Sequence, residues 1–282
     1  MIGCWRNRGQ STTSSFLNDN RSNLGSVDVR REEIEGEILS VATEASKCKS
    51  CISSYTSNIF FQKPSSCLDH LRNGALQSGV YEINDHDDVR YQVYCDLSSE
   101  LGMAWTLVIS QAFSNRNLEY FKNPLSMNYP INHKSPRWDA YRLSLLQMNK
   151  LKFGSSHWRI TCNFNTDGLI YRDYVRARFD DFDAINFESH GKGQCRKVEY
   201  MNVRGHNCTG CTSYWWQTKD PVKRNFLHHD SSYNKCEFGE TTGAVSSEDN
   251  FGWYDSKYKA NKKFRCTSAL IATTNHWFGG YV

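Results

Sequence analysis

Ser78-Gly79-Val80-Tyr81-Glu82-Ile83, Val89-Arg90-Tyr91-Gln92-Val93-Tyr94-Cys95-Asp96 and Gly102-Met103-Ala104-Trp105-Thr106-Leu107-Val108-Ile109 read as three successive β-strands. Tyr81 and Ile83 share one face. Val89, Tyr91, Val93 and Cys95 alternate with Arg90, Gln92 and Tyr94, the two-residue period of a half-buried strand. Trp105 to Ile109 is apolar but for Thr106, as suits a central strand covered on both faces. Downstream, Trp138, Tyr141, Leu145, Met148 and Leu151 recur at helical spacing behind Pro136, which predicts a helix over 138–152. Strand periodicity returns at Trp158, Ile160, Cys162 and Phe164, and further strands are expected at Leu169–Val175, Val198–Val203 and Phe264–Ala272. The fold class is α+β, with a mainly antiparallel sheet, few short helices and long loops.

The order of these pieces is specific. A cysteine at Cys67, then Ser78-Gly79-Val80-Tyr81-Glu82-Ile83, then Val93-Tyr94-Cys95-Asp96, then Gly102-Met103-Ala104-Trp105-Thr106 with aliphatics behind it, resembles the opening of a fibrinogen-like domain. That resemblance implies a secreted, disulfide-stapled binding scaffold over residues 64–282, with an N-terminal part at 64–110 like that of ficolins and intelectins and a divergent remainder at 111–282. Beyond Ile109 the chain is more similar to divergent fibrinogen-related proteins of simple invertebrates. The late Cys-His…Asn-Leu-Asn-Gly segment of ficolin-like lectins does not occur, so the resemblance implies the scaffold rather than a particular sugar pocket. Bridging Cys67 to Cys95 would close a loop of about 27 residues and stabilise the fold by roughly 3–4 kcal/mol in the loop-entropy model.

Eleven cysteines beside fifteen Tyr, fifteen Phe and eight Trp point to an oxidising, extracellular compartment, where thiols become staples for a loop-rich fold. Beyond Cys67 and Cys95, the trial pairings are Cys162 with Cys195 and Cys236 with Cys266. The odd count leaves one thiol over, assigned to Cys4. Residues 1–26 are polar and rich in Ser and Asn, are expected to be disordered, and hold no apolar stretch long enough for a signal peptide or a membrane span. Over residues 27–51, Ile34, Ile38, Val41, Ala45 and Cys48 are spaced alternately four and three apart, which suits either one amphipathic helix or a short coiled coil. Cys48 and Cys51 could then link a homo-oligomer. The net charge is +4 and the basic residues are scattered, which gives nucleic acid binding no electrostatic support.

Few groups could carry chemistry. Asp181 and Asp183, in Phe179-Asp180-Asp181-Phe182-Asp183, are oxygen ligands of the type Ca²⁺ takes. The fibrinogen-like family usually carries calcium on an Asp-x-Asp loop, so Ca²⁺ is the one cofactor considered, against a solvated acidic turn; Asp249, Asn250 and Asp255 form a second, weaker set. Tyr214, Trp215 and Trp216 are consecutive, so in a strand they cannot all face one core; an exposed Trp would stack on a sugar face or anchor a protein, against the alternative of core or inter-sheet packing. A single concave surface joining Asp181–Asp183 to Trp215 and Trp216 is the expected binding site. Cys208-Thr209-Gly210-Cys211 shares its spacing with Cys48–Cys51; disulfide bonding is favoured there over a zinc site or a redox motif. His228-His229-Asp230 reads as a polar surface turn with no nucleophile beside it. Asn207-Cys208-Thr209 and Asn20-Arg21-Ser22 match the N-glycosylation triplet. The expectation is a secreted binding protein and not an enzyme, recognising glycans or acetylated surface groups in adhesion or innate defence; the alternative is a matrix component that assembles with extracellular proteins without binding sugar.

Overall fold

The computed structural model describes residues 63–85, 87–254 and 260–282. The leader, the 27–51 segment with Cys48 and Cys51, Cys4, Asn20 and Asp255 lie outside the described residues. Strands β1 (Gly79–Asn84), β2 (Arg90–Asp96) and β3 (Met103–Ala112) form where alternation and apolarity place them. All ten residues of β3 are buried, because both of its faces are covered. Its neighbour is β12 (Thr273–Tyr281), the last strand of the chain, paired antiparallel along nearly its whole length. On the far side of β12 come β5 (His157–Cys162), β6 (Tyr174–Arg178), β8 (Tyr200–Val203) and β9 (His206–Thr209). The order β1-β2-β3-β12-β5-β6-β8-β9, with β4 (Ala140–Arg142) beside β3, makes a nine-stranded antiparallel sheet. A second sheet runs β11 (Asn225–His229), β10 (Thr212–Thr218), β7 (Gln194–Lys197).

Among the described residues, helices are few and short. Cys67–Arg72 forms α1, capped by the Ser66 hydroxyl, and Leu145–Phe153 forms α2. The helix expected over 138–152 therefore starts seven residues late. Ser144 and Gln147 form a reciprocal capping box that fixes its first turn. Tyr141 belongs instead to β4, where it pairs with Ser110; strand pairing overrode a helical spacing that was real but local. Phe164–Asp167 makes a single turn, α3. The strand expected at Phe264–Ala272 is a 3-10 turn at Arg265–Thr267 followed by a loop. The Asp173 carboxylate takes the backbone N–H of Arg265 at 2.9 Å and that of Arg204, which bends both segments onto the start of β6.

Cys67 and Cys95 are bonded as expected. The other two trial pairings are wrong. Cys162 is bonded to Cys266 and Cys195 to Cys236, with a further bridge from Cys208 to Cys211. Sheet membership explains the partners. Cys162 ends β5 opposite Thr274, so the segment that leads into β12 brings Cys266 beside it. Cys195 sits on β7, in the other sheet, opposite Tyr214.

The large sheet is tied together by charge at its centre. Arg159 of β5 has no exposed surface. Its guanidinium donates to Asp96 of β2 at 2.5 Å and to Glu100 at 2.6 Å, and lies 4.6 Å from the Trp105 ring and 5.0 Å from that of Trp277. Glu100 also accepts from Arg176 at 2.8 Å, which binds Glu199 in turn. Burial pushes the Asp96 carboxyl up, but the Arg159 charge and the Ser99 hydrogen bonds outweigh it and hold the group below its usual range. Removing one member of a buried ion pair leaves the others desolvated and unpaired. Arg159→Met is therefore expected to lower the free energy of unfolding by about 3–5 kcal/mol, measured by urea denaturation; a loss under about 1 kcal/mol would show that water reaches Asp96 and Glu100.

Candidate functional site

Alternation along β10 sends Trp215 one way and Tyr214 and Trp216 the other. Trp215 is fully buried. It donates from Nε1 to the Ser213 hydroxyl at 2.7 Å and packs edge-on against Trp158 and Phe182. It is a core residue and cannot touch a ligand. Tyr214 stacks on Tyr233 with centroids 5.1 Å apart. Trp216 is half-buried and opens into a cavity. A Cβ on Gly193 would fall 2.3 Å from the Tyr214 ring and 2.7 Å from that of Trp216, so only glycine lets β7 pass beneath these two side chains.

The opposite wall comes from the segment after Asn250. The backbone of Asn250 exchanges two hydrogen bonds with His229, at 2.9 and 2.8 Å, which lays this segment along β11. Phe251, Gly252 and Trp253 then all adopt positive φ, at 66°, 156° and 48°. Two side-chained residues held there store strain of about 1–3 kcal/mol each. A Cβ on Gly252 would lie 2.3 Å from the Leu227 carbonyl oxygen. The twist sends Phe251 into the core against Trp215 and leaves Trp253 half-buried above β11.

Between the two indoles lies His228. Its ring is 6.4 Å from that of Trp216 at an interplanar angle of 9°, and 6.4 Å from that of Trp253 at 26°. Nδ1 is 2.8 Å from the Phe226 carbonyl, which can only accept, so Nδ1 carries the proton. Nε2 is left as an acceptor, 3.7 Å from the Asp249 carboxylate. Asp230 accepts from the Ser232 hydroxyl at 2.6 Å and its backbone N–H at 2.8 Å, and burial raises its pKa. These groups, Tyr233, Lys223 and Arg224 line a cavity of about 510 Å³. That volume falls within the range of small-ligand sites. Arg224 is fixed by the Asn123 amide oxygen at 2.9 Å. The cavity is thus lined by two half-buried indoles together with the acceptors of His228 and Asp230.

Asp181 and Asp183 are not part of it. They line a separate cavity of about 340 Å³ with Glu188, His190 and Arg196, and the Phe182 ring between them turns inward onto Trp215. The single surface expected to join the acidic loop to the tryptophans does not form. Asp183 binds the Lys152 ammonium and accepts from the Asn186 amide at 2.8 Å, while Asp181 pairs with Lys197 at 3.4 Å. Both carboxylates are thus engaged by lysines, which a Ca²⁺ ion on this loop would have to displace. Among the described residues, no three His, Cys, Asp or Glu side chains gather to hold a metal ion. Nor are His228, His229 and Asp230 a surface turn: they are buried at the end of β11. Trp253 was not legible as a site residue. The run Phe251-Gly252-Trp253-Tyr254, aromatic around one glycine, was the signal that could have found it. Asn207 is exposed on β9.

The buried histidines have a consequence for acid stability. Burial lowers the pKa of His228 to about 4 and those of His229 and His276 to about 3. All three stay neutral when folded and titrate near 6.5 when unfolded. Their contribution is therefore complete above pH 6.5 and is lost as the pH falls from there towards 4 and below. His228→Gln is expected to flatten the decline between pH 6.5 and 4 by about 3 kcal/mol, read from urea denaturation at several pH values; an unchanged slope would show that His228 takes up its proton over the same range folded and unfolded.

A family model, "Fibrinogen beta and gamma chains, C-terminal globular domain", matches residues 63–265. Tenascin-R of Rattus norvegicus is 25% identical over 252 residues, covering 86% of this chain and 16% of its own length. Tenascin-R of Mus musculus is 34% identical over 253 residues, with the same shares covered. Tenascin-R of Homo sapiens is 23% identical over 238 residues, covering 80% of this chain and 15% of that protein. The chain thus spans about a sixth of the length of these relatives. Among solved structures, the fibrinogen-like globe domain of human ANGPTL2 is 16% identical and covers 78% of this chain and 100% of its own, with a TM-score of 0.36. The match over residues 63–265, on a chain whose opening strands carry the motif order of such domains, shows that this protein belongs to the fibrinogen C-terminal globular domain family.

Proposed function

We propose that the chain is an extracellular binding protein that recognises glycans or acetylated surface groups in the cavity between Trp216 and Trp253. The single observation that carries this reading is the pair of indoles lining one cavity with the acceptors of His228 and Asp230. The faces of a pyranose ring, or the methyl of an acetyl group, pack on aromatic surfaces. Sugar hydroxyls supply the donors that His228 Nε2 and Asp230 can accept. The strained backbone at Phe251–Trp253 supports it further, because strain of that kind collects where a side chain must be held for a ligand. The disulfides of the described region support an oxidising compartment. Among the described residues, no helix is long and apolar enough to cross a membrane. Adhesion or innate defence is the setting that such recognition suits.

The test is a glycan array probed with the full chain, followed by titration of the best ligand. Trp216→Ala and Trp253→Ala are each expected to weaken binding about tenfold or more, equivalent to about 1.4 kcal/mol, without loss of cooperative unfolding. Binding that survives a chelator would separate this cavity from any calcium on Asp181 and Asp183. No glycan bound, with a retained protein partner sensitive to the same two substitutions, would replace this reading with protein assembly through the same cavity. Binding indifferent to both substitutions would remove the cavity from the function.

A further inference from the structure

Strand β9 ends the nine-stranded sheet. It pairs with β8 on one side, Asn202 facing Asn207 and Tyr200 facing Thr209, and among the described residues no strand pairs on the other. It follows β8 through the tight turn Arg204-Gly205, whose φ values are 54° and 97°, the backbone of a two-residue hairpin. Its position is pinned at both ends. The Arg204 guanidinium binds the buried Glu248 and the Ser231 hydroxyl, and Cys208 is bonded to Cys211. An edge strand held in place presents unpaired N–H and C=O groups to any other strand, and proteins usually blunt such edges with charge, proline or a bulge. The sequence of β9, His206-Asn207-Cys208-Thr209, contains no Lys, Glu or Pro.

It does contain an acceptor triplet for N-glycosylation. Asn207 and Thr209 stand two apart on one face of the strand, and both are exposed. The Asn207 side chain makes one long contact, from Nδ2 to the Gly205 carbonyl at 3.4 Å, so modifying it removes nothing the fold depends on. The groups nearest in the hairpin are differently placed: Asn202 is buried and accepts from the Gly205 N–H at 2.8 Å.

We infer that Asn207 carries an N-linked glycan and that this glycan covers the free edge of the large sheet. In the transfer, Asn207 Nδ2 attacks C1 of the reducing sugar of a lipid-linked oligosaccharide. The N–C bond forms, the C–O bond to the lipid diphosphate breaks, the diphosphate leaves with the electron pair, and the amide proton passes to the transferase. The reaction acts on the chain before it folds. The folded structure bears on the product, which points into solvent at a position where a branched polar polymer blocks edge-to-edge pairing. The inference shares with the proposed function only the secretory compartment, which the assay supplies.

Cell-free translation of the full chain behind a cleavable secretion signal, with endoplasmic reticulum microsomes, reads the modification directly. An Asn20→Gln background leaves the Asn207 triplet as the acceptor under test. The expected result is a mobility shift that an endoglycosidase removes, that Thr209→Ala abolishes and that Thr209→Ser keeps. Equal mobility of the parent and the Thr209→Ala chain would overturn the site. The edge role is read on the folded glycoprotein, stripped enzymatically under native conditions so that folding is not at issue. Light scattering is expected to show the stripped protein associating beyond its starting state with rising concentration while the intact one does not; identical behaviour of the two would overturn the covering role.

Discussion

The guanidinium of Arg159 has no contact with solvent and lies between two carboxylates and two indoles. Its partners come from β2, from the turn that leads to β3, from β3 itself and from β12, so this one charge links the first strands of the described region to its last. A buried ion pair is weak evidence of net stability, since desolvation offsets much of the attraction. What it supplies here is register. β12 lies between β3 and β5, and a slip by one residue would turn Trp277 away from Arg159. The strands called N-terminal by sequence are thus completed by the last strand of the chain.

The second sheet inherits its geometry from that frame. Trp158 on β5 holds Trp215 on β10, and Trp215 holds Phe251, whose positive φ begins the twist that lifts Trp253. A chain of aromatic packing therefore runs from the core of the large sheet to the wall of the cavity. The cavity's two indoles are half-buried, while Trp158, Trp215 and Phe251 behind them are fully buried. Such a site is preorganised: the rings are held by what lies beneath them, and a ligand does not have to order them. The neutral state of His228 has the same origin, because burial between two rings disfavours its cation.

The sequence by itself determined the opening strands, the Cys67–Cys95 bridge and the family, because alternation, an apolar run and a fixed motif order are properties of neighbouring residues. It also showed that Tyr214, Trp215 and Trp216 could not share one environment. Which of them met the core was decided by Trp158 on β5 and by Phe182 in the loop after β6. Tertiary structure likewise decided that Cys162 meets Cys266 and that the spacing at Trp138 and Tyr141 serves no helix. It placed Asp181 and Asp183 in a different cavity from Trp216, and it brought His228, Asp249 and Trp253 together. Each of these rests on which distant segments pack against one another, and a one-dimensional pattern specifies the face a side chain takes without specifying what lies opposite it.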